Sequence, residues 1–516
     1  MKRIVLFFAA VACTVSCQSC QNKDNGTPDG QEVALQVSRD KIEMDAEGGD
    51  TSFDVTASQK PYIVGSYDWC KTSQSAFSGD KMTVTLTVAA NKASEPRTAQ
   101  LSIVCGDEKK SVEVLQKGAG QKPGPSGDFL DTPALPDNNA AAMAKKLGFG
   151  WNLGNQMDAF SNGVSSETVW GNPRCTQTTF DNLKAKGFST VRIPVTWMGH
   201  IGEAPEYRIE EAWLDRVYEI AGYARAAGLN AIVNMHHDDS PGEGWLCVHK
   251  AAQNDAYKSE MFAKYTAVWK QIAEKFADED DWLILEGYNE LQDGGWGGGG
   301  NLTDGGKQYA VINELAQAFV NTVRETGGKN TDRYLSVLGY SASPYLTAGN
   351  LVLPDDKADG RLMVSVHFYD PSGYALGQNS SYTEWGHTGV AGKKDPNHGE
   401  ENVVETFKML KEKYIDNNIP LYIGECGAVN RSDARAKSFQ QYWFEFVFKA
   451  AKDYGMCPVV WDNGAKGTGN ESFGFIGHAD GGCINGSKPI IDIMNKAFNT
   501  DTQSYTLKSV YDNAPR

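Results

Sequence analysis

The chain is poor in basic residues relative to acidic ones. Its 516 residues include 49 lysines and arginines against 65 aspartates and glutamates, which gives a formal net charge of −16. Binding to a phosphate backbone needs clustered lysine and arginine. This balance therefore argues against nucleic acid or another anionic polymer as the partner, whereas a neutral ligand is compatible with it.

The usual signatures of metal, nucleotide and triad chemistry are also missing. No cysteines have paired metal-ligand spacing, no Gly-x-Gly-x-x-Gly turn opens a helix, and no serine or cysteine has the spacing of a catalytic triad. We therefore expect no metal and no cofactor. Beyond residue 20, we expect mostly buried and unpaired thiols, at Cys70, Cys105, Cys175, Cys247, Cys426, Cys457 and Cys483.

Long apolar runs are absent apart from the start of the chain. Met1-Lys2-Arg3 precedes a short apolar stretch at 4–12, which is typical of an export signal and too short to span a bilayer. The following Thr14-Val15-Ser16-Cys17 resembles a bacterial lipobox. We predict a signal peptide over 1–16, lipidation of Cys17 and a tether over 17–31, with Cys20 as the rival site. The expected location is the outer membrane or cell surface of a Gram-negative bacterium, and a secreted or periplasmic protein is the alternative.

Residues 32–117 contain short alternating apolar and polar runs, such as 51–55, 82–88 and 99–104. Strands at this spacing predict a small antiparallel immunoglobulin-like sandwich. With Gly48-Gly49, Tyr67-Asp68-Trp69 and Arg97, the region resembles the BACON family of modules. That family name implies carbohydrate binding, but we expect Trp69 to be a core residue and the module to act as a spacer.

A Gly/Pro-rich linker over 118–136 separates this region from a repeated strand-helix pattern at 137–500, followed by a tail at 501–516. Eight buried strands with helical crossovers predict an α/β fold, a (β/α)8 TIM barrel. An open doubly wound sheet is the alternative. The expected strands are 148–155, 190–197, 230–237, 282–290, 334–340, 361–369, 420–428 and 457–463.

In such a barrel the carboxyl ends of the strands converge on one face, so their polar residues can be considered together. Two carboxylates, Glu290 and Glu425, are among them. Two converging carboxylates are the minimum equipment for cleaving a glycosidic bond. The remaining polar or aromatic strand-end residues are Arg192, His236, His237, Asn289, His367, Tyr369 and Trp461.

These strand ends form an ordered set of motifs that resembles glycoside hydrolase family 5, especially the endo-β-1,4-glucanases and xyloglucanases of subfamily 4. The motifs are Gly150-Trp151-Asn152-Leu153-Gly154-Asn155, Trp170-Gly171-Asn172-Pro173, Val191-Arg192-Ile193-Pro194-Val195-Thr196-Trp197, Asn234-Met235-His236-His237-Asp238, Asn289-Glu290, His367-Phe368-Tyr369, Gly424-Glu425 and Trp461.

The resemblance implies a retaining mechanism with Glu290 as acid/base and Glu425 as nucleophile, their carboxyl groups roughly 5–5.5 Å apart. We assign Arg192 and Tyr369 as donors to Glu425 and Asn289 as the ligand of the sugar 2-hydroxyl. Adjacent residues of a regular strand face opposite ways, so Asn289 and Glu290 require a bulge or strand end.

The substrate is expected to contact further polar and aromatic side chains. His236 and His367 would bind sugar hydroxyls or the acid/base, with His237 in support. Zinc is the alternative for the paired histidines, but adjacent histidines on one strand rarely chelate. Trp461 would form the floor under the sugar. The further substrate-binding candidates, each of which could instead be a packing residue, are Asn155, Trp170, Trp197, Trp245, Trp296 and Trp385.

Two positions depart from the family pattern. Leu291 stands where proline usually follows the acid/base, so the loop and the cleft entrance can differ. Cys426 follows the nucleophile, and strand alternation should turn it toward the helix layer as a packing residue.

We predict a monomeric endo-β-1,4-glucanase whose favoured polymer is xyloglucan, because the glycine-rich stretch at 294–300 and the insertion at 372–398 can shape an open cleft. Mixed-linkage glucan or cellulose-like chains come next, and β-mannan or glucomannan is the runner-up. A non-catalytic lipoprotein that captures polysaccharide is the alternative from a different class.

Overall fold

The computed structural model describes residues 35–118, apart from 66, 94, 95 and 107, and residues 129–516. The chain divides into two compact units, Met1–Ser126 and Gly127–Arg516. The predicted signal peptide, both candidate lipidation cysteines and the tether lie outside the described residues. Within the described part, no helix combines the length and apolar character needed to cross a membrane.

The first unit consists of two four-stranded sheets. One sheet has the order β1-β3-β6-β5 and is antiparallel throughout, and the other has the order β2-β8-β7-β4. The expected all-antiparallel pairing is wrong for one pair, because β2 runs parallel to β8. The strands are β1 (Gln36–Val37), β2 (Lys41–Met44), β3 (Gly49–Thr56), β4 (Tyr62–Val64), β5 (Cys70–Gln74), β6 (Lys81–Val88), β7 (Arg97–Cys105) and β8 (Glu108–Gln116).

Alternation along these strands puts apolar side chains between the sheets. Phe53, Val84, Leu101 and Val112 are among the buried residues of this core. Trp69 packs against the core and is covered by the guanidinium of Arg97, 4.4 Å from the ring centroid. Trp69 is therefore largely engaged within the module, as its expected core role requires.

The second unit is a closed barrel of eight parallel strands, which confirms the predicted fold. The two-stranded hairpin of β10 (Phe160–Ser161) and β11 (Val164–Ser165) follows the first barrel strand. The barrel strands are β9 (Gly150–Asn152), β12 (Thr190–Ile193), β13 (Asn230–Asn234), β14 (Leu283–Glu286), β15 (Leu335–Leu338), β16 (Leu362–Phe368), β17 (Leu421–Cys426) and β18 (Cys457–Val460).

Twelve helices are described in this unit, many of them crossovers whose apolar face packs on the barrel. Asn138, Asn254 and Asp433 cap three of them through side-chain acceptors. The helices are α1 (Asn139–Leu147), α2 (Gln177–Ala185), α3 (Glu211–Ala226), α4 (Val248–Ala251), α5 (Asp255–Lys275), α6 (Lys307–Glu325), α7 (Pro344–Asn350), α8 (Ser372–Ala375), α9 (Glu400–Lys413), α10 (Ala434–Asp453), α11 (Lys488–Asn499) and α12 (Leu507–Asp512).

The barrel interior changes from apolar to polar along the strands. Ile232, Ile284 and Met363 form a buried cluster with Met143 of α1. Two residues after Ile232 and Ile284 the same faces carry Asn234 and Glu286, both fully buried. The apolar layer therefore supports a polar layer beneath the carboxyl ends of the strands.

Two boundaries differ from the sequence expectations. The strands are shorter than the apolar runs, and β14 ends at Glu286, four residues before Glu290. The supposed tail contains α12, whose Leu507 and Val510 are buried in the barrel unit's core. These two residues are three positions apart and so share one helix face. This face packs on the core of the barrel unit. Leu130, expected in the linker, also belongs to this core.

Candidate active site

Asn289 and Glu290 lie beyond the end of β14, in irregular backbone. The expectation of a strand end at this pair is confirmed. Without strand alternation, both side chains can reach the same face. Asn289 is 3 % exposed and accepts a hydrogen bond at Oδ1 from Arg192 Nη2 at 2.7 Å. Among the described residues, no acceptor is recorded for its Nδ2, which leaves this group available to a sugar hydroxyl.

Glu425 lies near the end of β17, where the register is irregular. The pairing between β16 and β17 shifts between Val366 and His367, so that His367 stands opposite Glu425. A second shift between Ile423 and Cys426 interrupts pairing with β18. Such irregularities re-aim side chains next to functional sites. Here they bring His367 and Glu425 to the same face.

Arg192, on β12, is the centre of the buried polar layer. Its Nη1 donates to Glu425 Oε1 at 2.8 Å and to Asn152 Oδ1 at 3.0 Å. Its Nη2 and Nε donate to Glu286 Oε1 at 2.7 and 3.0 Å. Glu425 also accepts from the hydroxyl of Tyr369 at 3.0 Å through its other oxygen. The two donors predicted for Glu425 are therefore in place.

Glu290 has a different environment. Its Oε1 lies 2.6 Å from His367 Nδ1, and no arginine bonds to it among the described residues. Burial raises the pKa of Glu290 to about 7, against a smaller opposing effect of Arg192. Burial also lowers the pKa of His367 to about 4, so the imidazole is neutral near neutral pH. Glu290 therefore keeps its proton into the neutral range.

The two carboxyl groups are close enough to influence each other. Glu290, His367 and Glu425 each offer one atom within 4.8 Å of the others. Burial raises the pKa of Glu425 as well, and the charge of Glu290 adds to this rise, whereas His367 and Arg192 oppose it. Two carboxylates this close titrate as a pair. Of the two, Glu425 has the charged donor and is the one better suited to remain ionised.

His236 and Trp461 lie side by side next to Glu425. Their rings are parallel, with centroids 5.8 Å apart, and His236 Nε2 is 3.9 Å from Glu425 Oε1. Burial lowers the pKa of His236 well below its ordinary value. Gly154 packs directly on Trp461, since a Cβ at this glycine would come within 2.8 Å of the indole. The indole of Trp461 is thus closely packed where it lies parallel to His236.

A group of rings extends away from this centre. His237 lies 5.8 Å from Trp170 and 5.9 Å from Phe160 between ring centroids, and Trp170 donates to the carbonyl of Phe160 at 2.8 Å. Trp170 is 41 % exposed. Asn155 has the left-handed conformation at φ +54°, and its backbone N–H donates to Asp158 Oδ2 at 3.0 Å. Trp170, Phe160 and His237 offer a partly exposed aromatic surface for a sugar.

The other tryptophans differ in exposure. Trp296 is 67 % exposed and has a φ of +47°. It lies in the glycine-rich loop, where Asp293 accepts from the backbone N–H of Gly295 and of Asn301. Trp245 is half-buried, donates to Asp238 at 2.8 Å and lies beneath Lys264 Nζ. Trp296 has a face free for a ligand, and Trp245 has less of one.

The structure contradicts two of the candidate sugar platforms. Trp197 is fully buried, and its Nε1 donates to the carbonyl of Asn234 at 3.1 Å. Trp385 is 1 % exposed and packs against Tyr442 and Phe446. Neither indole has a face available to a sugar, so both are packing residues.

Sequence reasoning missed several buried polar residues of the site. Glu286 accepts from Asn234 at 3.0 Å and from the hydroxyl of Tyr422, in addition to Arg192. Asp158 accepts from two backbone N–H groups and lies 3.8 Å from His237 Nε2. The available signal was a glutamate inside the apolar run of β14, because charged residues are seldom fully buried without partners.

Two clusters have the composition of a metal site. One contains Asp158, His236 and His237, and the other contains Glu290, His367 and Glu425. In the second cluster the carboxylate oxygens of Glu425 already accept from Arg192 and Tyr369, and Glu290 is engaged with His367. These bonds account for the second cluster, and the absence of a metal stays a prediction.

The two departures from the family pattern have structural places. Leu291 is fully buried, and its carbonyl accepts from the backbone N–H of Ser341 at 3.0 Å. Cys426 is buried with its Sγ 3.6 Å from the carbonyl of Val459, and burial raises the pKa of this thiol well above its ordinary value. Cys426 is therefore a packing residue. All seven cysteines of the described residues are unpaired, and only Cys483 is exposed.

Two family models match the sequence. Residues 154–467 match "Cellulase (glycosyl hydrolase family 5)". Residues 51–117 match BACON, described as "Putative binding domain, N-terminal". The first match contains Glu290, Glu425 and the two donors to Glu425, Arg192 and Tyr369, and the second falls within the sandwich unit.

The similar proteins include endoglucanases and xyloglucanases. The chain is 30% identical to the xyloglucan-specific endo-beta-1,4-glucanase BoGH5A of Bacteroides ovatus, over 90% of this chain and 92% of that protein. A solved GH5-4 broad specificity endoglucanase from Bacteroides salanitronis is 48% identical with a TM-score of 0.69, covering 73% of this chain and 100% of that one. A Bacteroides ovatus GH5 xyloglucanase in complex with a XXXG heptasaccharide is 28% identical with a TM-score of 0.63, over 91% and 100% of the respective chains.

Proposed function

This chain belongs to glycosyl hydrolase family 5, and from that membership we propose that it is an endo-β-1,4-glucanase that cleaves by double displacement with retention of configuration. The observation that carries the mechanism is the pair formed by Glu290 and Glu425. Their carboxylate oxygens come within 4.8 Å of each other. This spacing suits the retaining mechanism, because an inverting pair must leave room for a water between its carboxyl groups.

The division of roles follows from the different partners of the two carboxylates. Glu425 accepts from a guanidinium and a phenol, which stabilise the anion that attacks the anomeric carbon. Glu290, whose pKa is raised to about 7 by burial, supplies the proton to the departing oxygen. When Glu425 becomes an ester, one negative charge disappears from the site. This favours ionisation of Glu290, which then accepts a proton from the attacking water.

The sugar at the cleavage point would be held by three groups. The free amide Nδ2 of Asn289 is suited to the 2-hydroxyl, where a hydrogen bond strengthens toward the oxocarbenium-like transition state. The indole of Trp461 would support the apolar face of the ring, and His236 would contact a hydroxyl. The partly exposed surface of Trp170, Phe160 and His237 would receive a neighbouring sugar.

The mechanism is tested by azide rescue of two variants on an aryl cellobioside with a good leaving group. Glu425→Ala with azide should yield the α-glycosyl azide, because azide replaces the nucleophile on the opposite face. Glu290→Ala should still form the glycosyl-enzyme, and azide should then yield the β-glycosyl azide. The reverse pattern would exchange the two roles. Full hydrolysis by Glu425→Ala would contradict the mechanism.

Xyloglucan is the substrate we propose within the β-glucans. The named activity of the Bacteroides ovatus relative and the exposed position of Trp296 on the glycine-rich loop support an open cleft that accepts branches. Product analysis should show internal cleavage of xyloglucan, with slower cleavage of barley-type glucan and carboxymethylcellulose. Glu425→Ala serves as the inactive control. Cleavage of glucomannan and mannan alone would contradict the glucanase assignment.

We further propose that the enzyme acts at the cell surface, exported and lipid-anchored through Cys17. Support comes from the charged start, the short apolar stretch and the Thr14-Val15-Ser16-Cys17 sequence. A surface location would place the enzyme beside a polymer too large to enter the cell.

A further inference from the structure

Glu286 is a fully buried carboxylate that does not reach the cleft. It is the last residue of β14 and lies on the interior face above Ile284. Its Oε1 accepts from Arg192 and from Asn234 Nδ2, and its Oε2 accepts from the hydroxyl of Tyr422. A buried charge survives only when it is paired and hydrogen-bonded. Glu286 meets this condition through Arg192.

The guanidinium of Arg192 uses all five of its N–H groups. A guanidinium carries five donors in a rigid fork. Nε and one N–H of Nη2 bind Glu286, the second N–H of Nη2 binds Asn289, and Nη1 binds Asn152 and Glu425. The guanidinium is thereby fixed in position and orientation. Only one of its five N–H groups is left for Glu425.

The group contains one positive charge, that of Arg192, and two carboxylates that pair with it. One guanidinium serves both Glu286 and Glu425. If Glu286 were uncharged, its negative charge would no longer offset the attraction between Arg192 and Glu425. A carboxylate that is more strongly stabilised by a cation is a weaker base and a poorer nucleophile. Sharing the cation keeps Glu425 ionised without quenching its reactivity.

We propose that Glu286 is a positioning residue for catalysis, which holds the guanidinium of Arg192 and takes up part of its charge so that Glu425 remains a reactive nucleophile. Because Arg192 is fixed in this way, its bond to Asn289 Oδ1 orients the Asn289 amide, whose Nδ2 is left for the substrate. This inference rests on the proposed retaining mechanism. It assigns a role to a group that touches neither substrate nor reacting atoms.

Several charged or titratable groups face Glu425 and could shift its ionisation. Those in its immediate surroundings are Arg192, His236, Glu290, His367 and Tyr369. Asp158 and Glu471 interact with it at longer range. Glu286 itself faces Arg192 and Tyr422, with His367 and Tyr288 farther away. A change at Glu286 should therefore reach Glu425 chiefly through Arg192.

The first test is the acidic limb of the kcat/KM profile in Glu286→Gln. The variant is isosteric. Its amide oxygen can still accept from Arg192 and Asn234, and its NH2 can donate to the oxygen of Tyr422. The Tyr422 hydroxyl lies 2.9 Å from Ser336 Oγ and can then donate to it. With Arg192 no longer shared between charges, the anion of Glu425 is stabilised. The acidic limb should move to lower pH by about one unit, and kcat/KM at its optimum should fall by up to about tenfold, because one pKa unit corresponds to a tenfold stabilisation of the anion.

The control for loss of a buried ion pair is Asp356→Asn. Asp356 forms a bidentate pair with Arg324 at 2.7 Å on both nitrogens, and both side chains are 5 % exposed. Neither Arg324 nor Asp356 belongs to the active site around Glu290 and Glu425. We expect a lower melting temperature and an unmoved acidic limb, which separates the effect on Glu425 from general destabilisation.

A second variant keeps the inference testable if Glu286→Gln does not fold. Tyr422→Phe leaves the charge of Glu286 in place and removes the donor to its Oε2. Glu286 should then attract Arg192 more strongly, and Arg192 should stabilise the anion of Glu425 less. The acidic limb should therefore move to higher pH. Opposite shifts in the two variants are the expected signature, and an upward shift in Tyr422→Phe alone suffices if the other variant is unfolded.

Folded variants with an unmoved acidic limb, or with shifts in the same direction, would overturn the role of Glu286. An unmoved limb in Tyr422→Phe would do so if Glu286→Gln is unfolded. These results are distinct from failure of the proposed function. If the wild-type enzyme released no product from any β-glucan, the proposed function itself would fail.

Discussion

Glu290 and Glu425 have the same side chain and acquire different chemistry from their neighbours. Glu425 accepts from Arg192 and Tyr369, whereas the hydrogen-bond partner of Glu290 among the described residues is the neutral imidazole of His367. A carboxylate that accepts charge-assisted hydrogen bonds favours ionisation, and one in a desolvated site without them favours the acid. The two roles therefore depend on the residues around each carboxylate.

From the surroundings of Glu290 we predict a basic limb near pH 7 in the kcat/KM profile for polymer substrates. Burial raises the pKa of Glu290 to about 7. Below that pH the acid is protonated and able to donate, and above it the protonated fraction falls tenfold per pH unit. The measurement is kcat/KM from pH 4 to 9 on the xyloglucan polymer.

A substrate with a dinitrophenolate leaving group provides the control, because its departure needs no proton. Its basic limb should move upward or disappear. A limb that remains at the same pH with both substrates would mean that it does not report Glu290.

At the scale of elements, the site depends on where regular pairing stops. β14 ends before Asn289, and the register of β16 and β17 shifts at His367. These irregularities bring Asn289 and Glu290 to one face and set His367 opposite Glu425. The apolar runs predicted eight strands in the correct order. The adjacency of Asn289 and Glu290 predicted the end of β14, but nothing in the apolar runs predicted the register shift at His367, because register is decided by pairing between neighbouring strands.

Gly424 is the position where this geometry is most sensitive to an added side chain. A Cβ there would lie 2.5 Å from Ser365 Oγ and 3.2 Å from His367 Nε2. We predict that Gly424→Ala displaces His367 and lowers kcat about 10- to 100-fold, since small misplacements of catalytic groups are costly. Steady-state kinetics on an aryl cellobioside measures the effect.

The matched control is Gly222→Ala in α3, where a Cβ would meet nothing within 4 Å. It should leave kcat unchanged. The double variant Gly424→Ala/Ser365→Ala should regain part of the lost activity because the hydroxyl that meets the new methyl group is gone. An unaltered kcat in Gly424→Ala would disprove the close packing at this glycine.

At the scale of the whole molecule, the sandwich and the barrel are separate compact units. Each has its own apolar core. Such cores allow units to fold independently. The barrel unit also includes α12 and Leu130, so a catalytic fragment should begin before residue 129 and retain the end of the chain.

For the intact chain we predict lipid anchoring through Cys17. When expressed in a Gram-negative host, the wild-type protein should partition into the detergent phase after Triton X-114 separation. Cys17→Ala should move it to the aqueous phase, because the thiol that carries the lipid is lost. The matched variant Cys20→Ala should partition like wild type. A shift with Cys20→Ala instead would favour the rival site.

Apolar periodicity and short motifs are local properties, so they were enough to predict the barrel, the order of its strands and the pair of glutamates. Two tryptophans expected at the substrate, Trp197 and Trp385, are buried, because exposure depends on what packs around a side chain. The role of Glu286 could not be predicted from the sequence, because its partners, Arg192, Asn234 and Tyr422, come from three other strands. The sharing of one guanidinium between two carboxylates depends on how these strands pack together, and no local pattern in the chain encodes that packing.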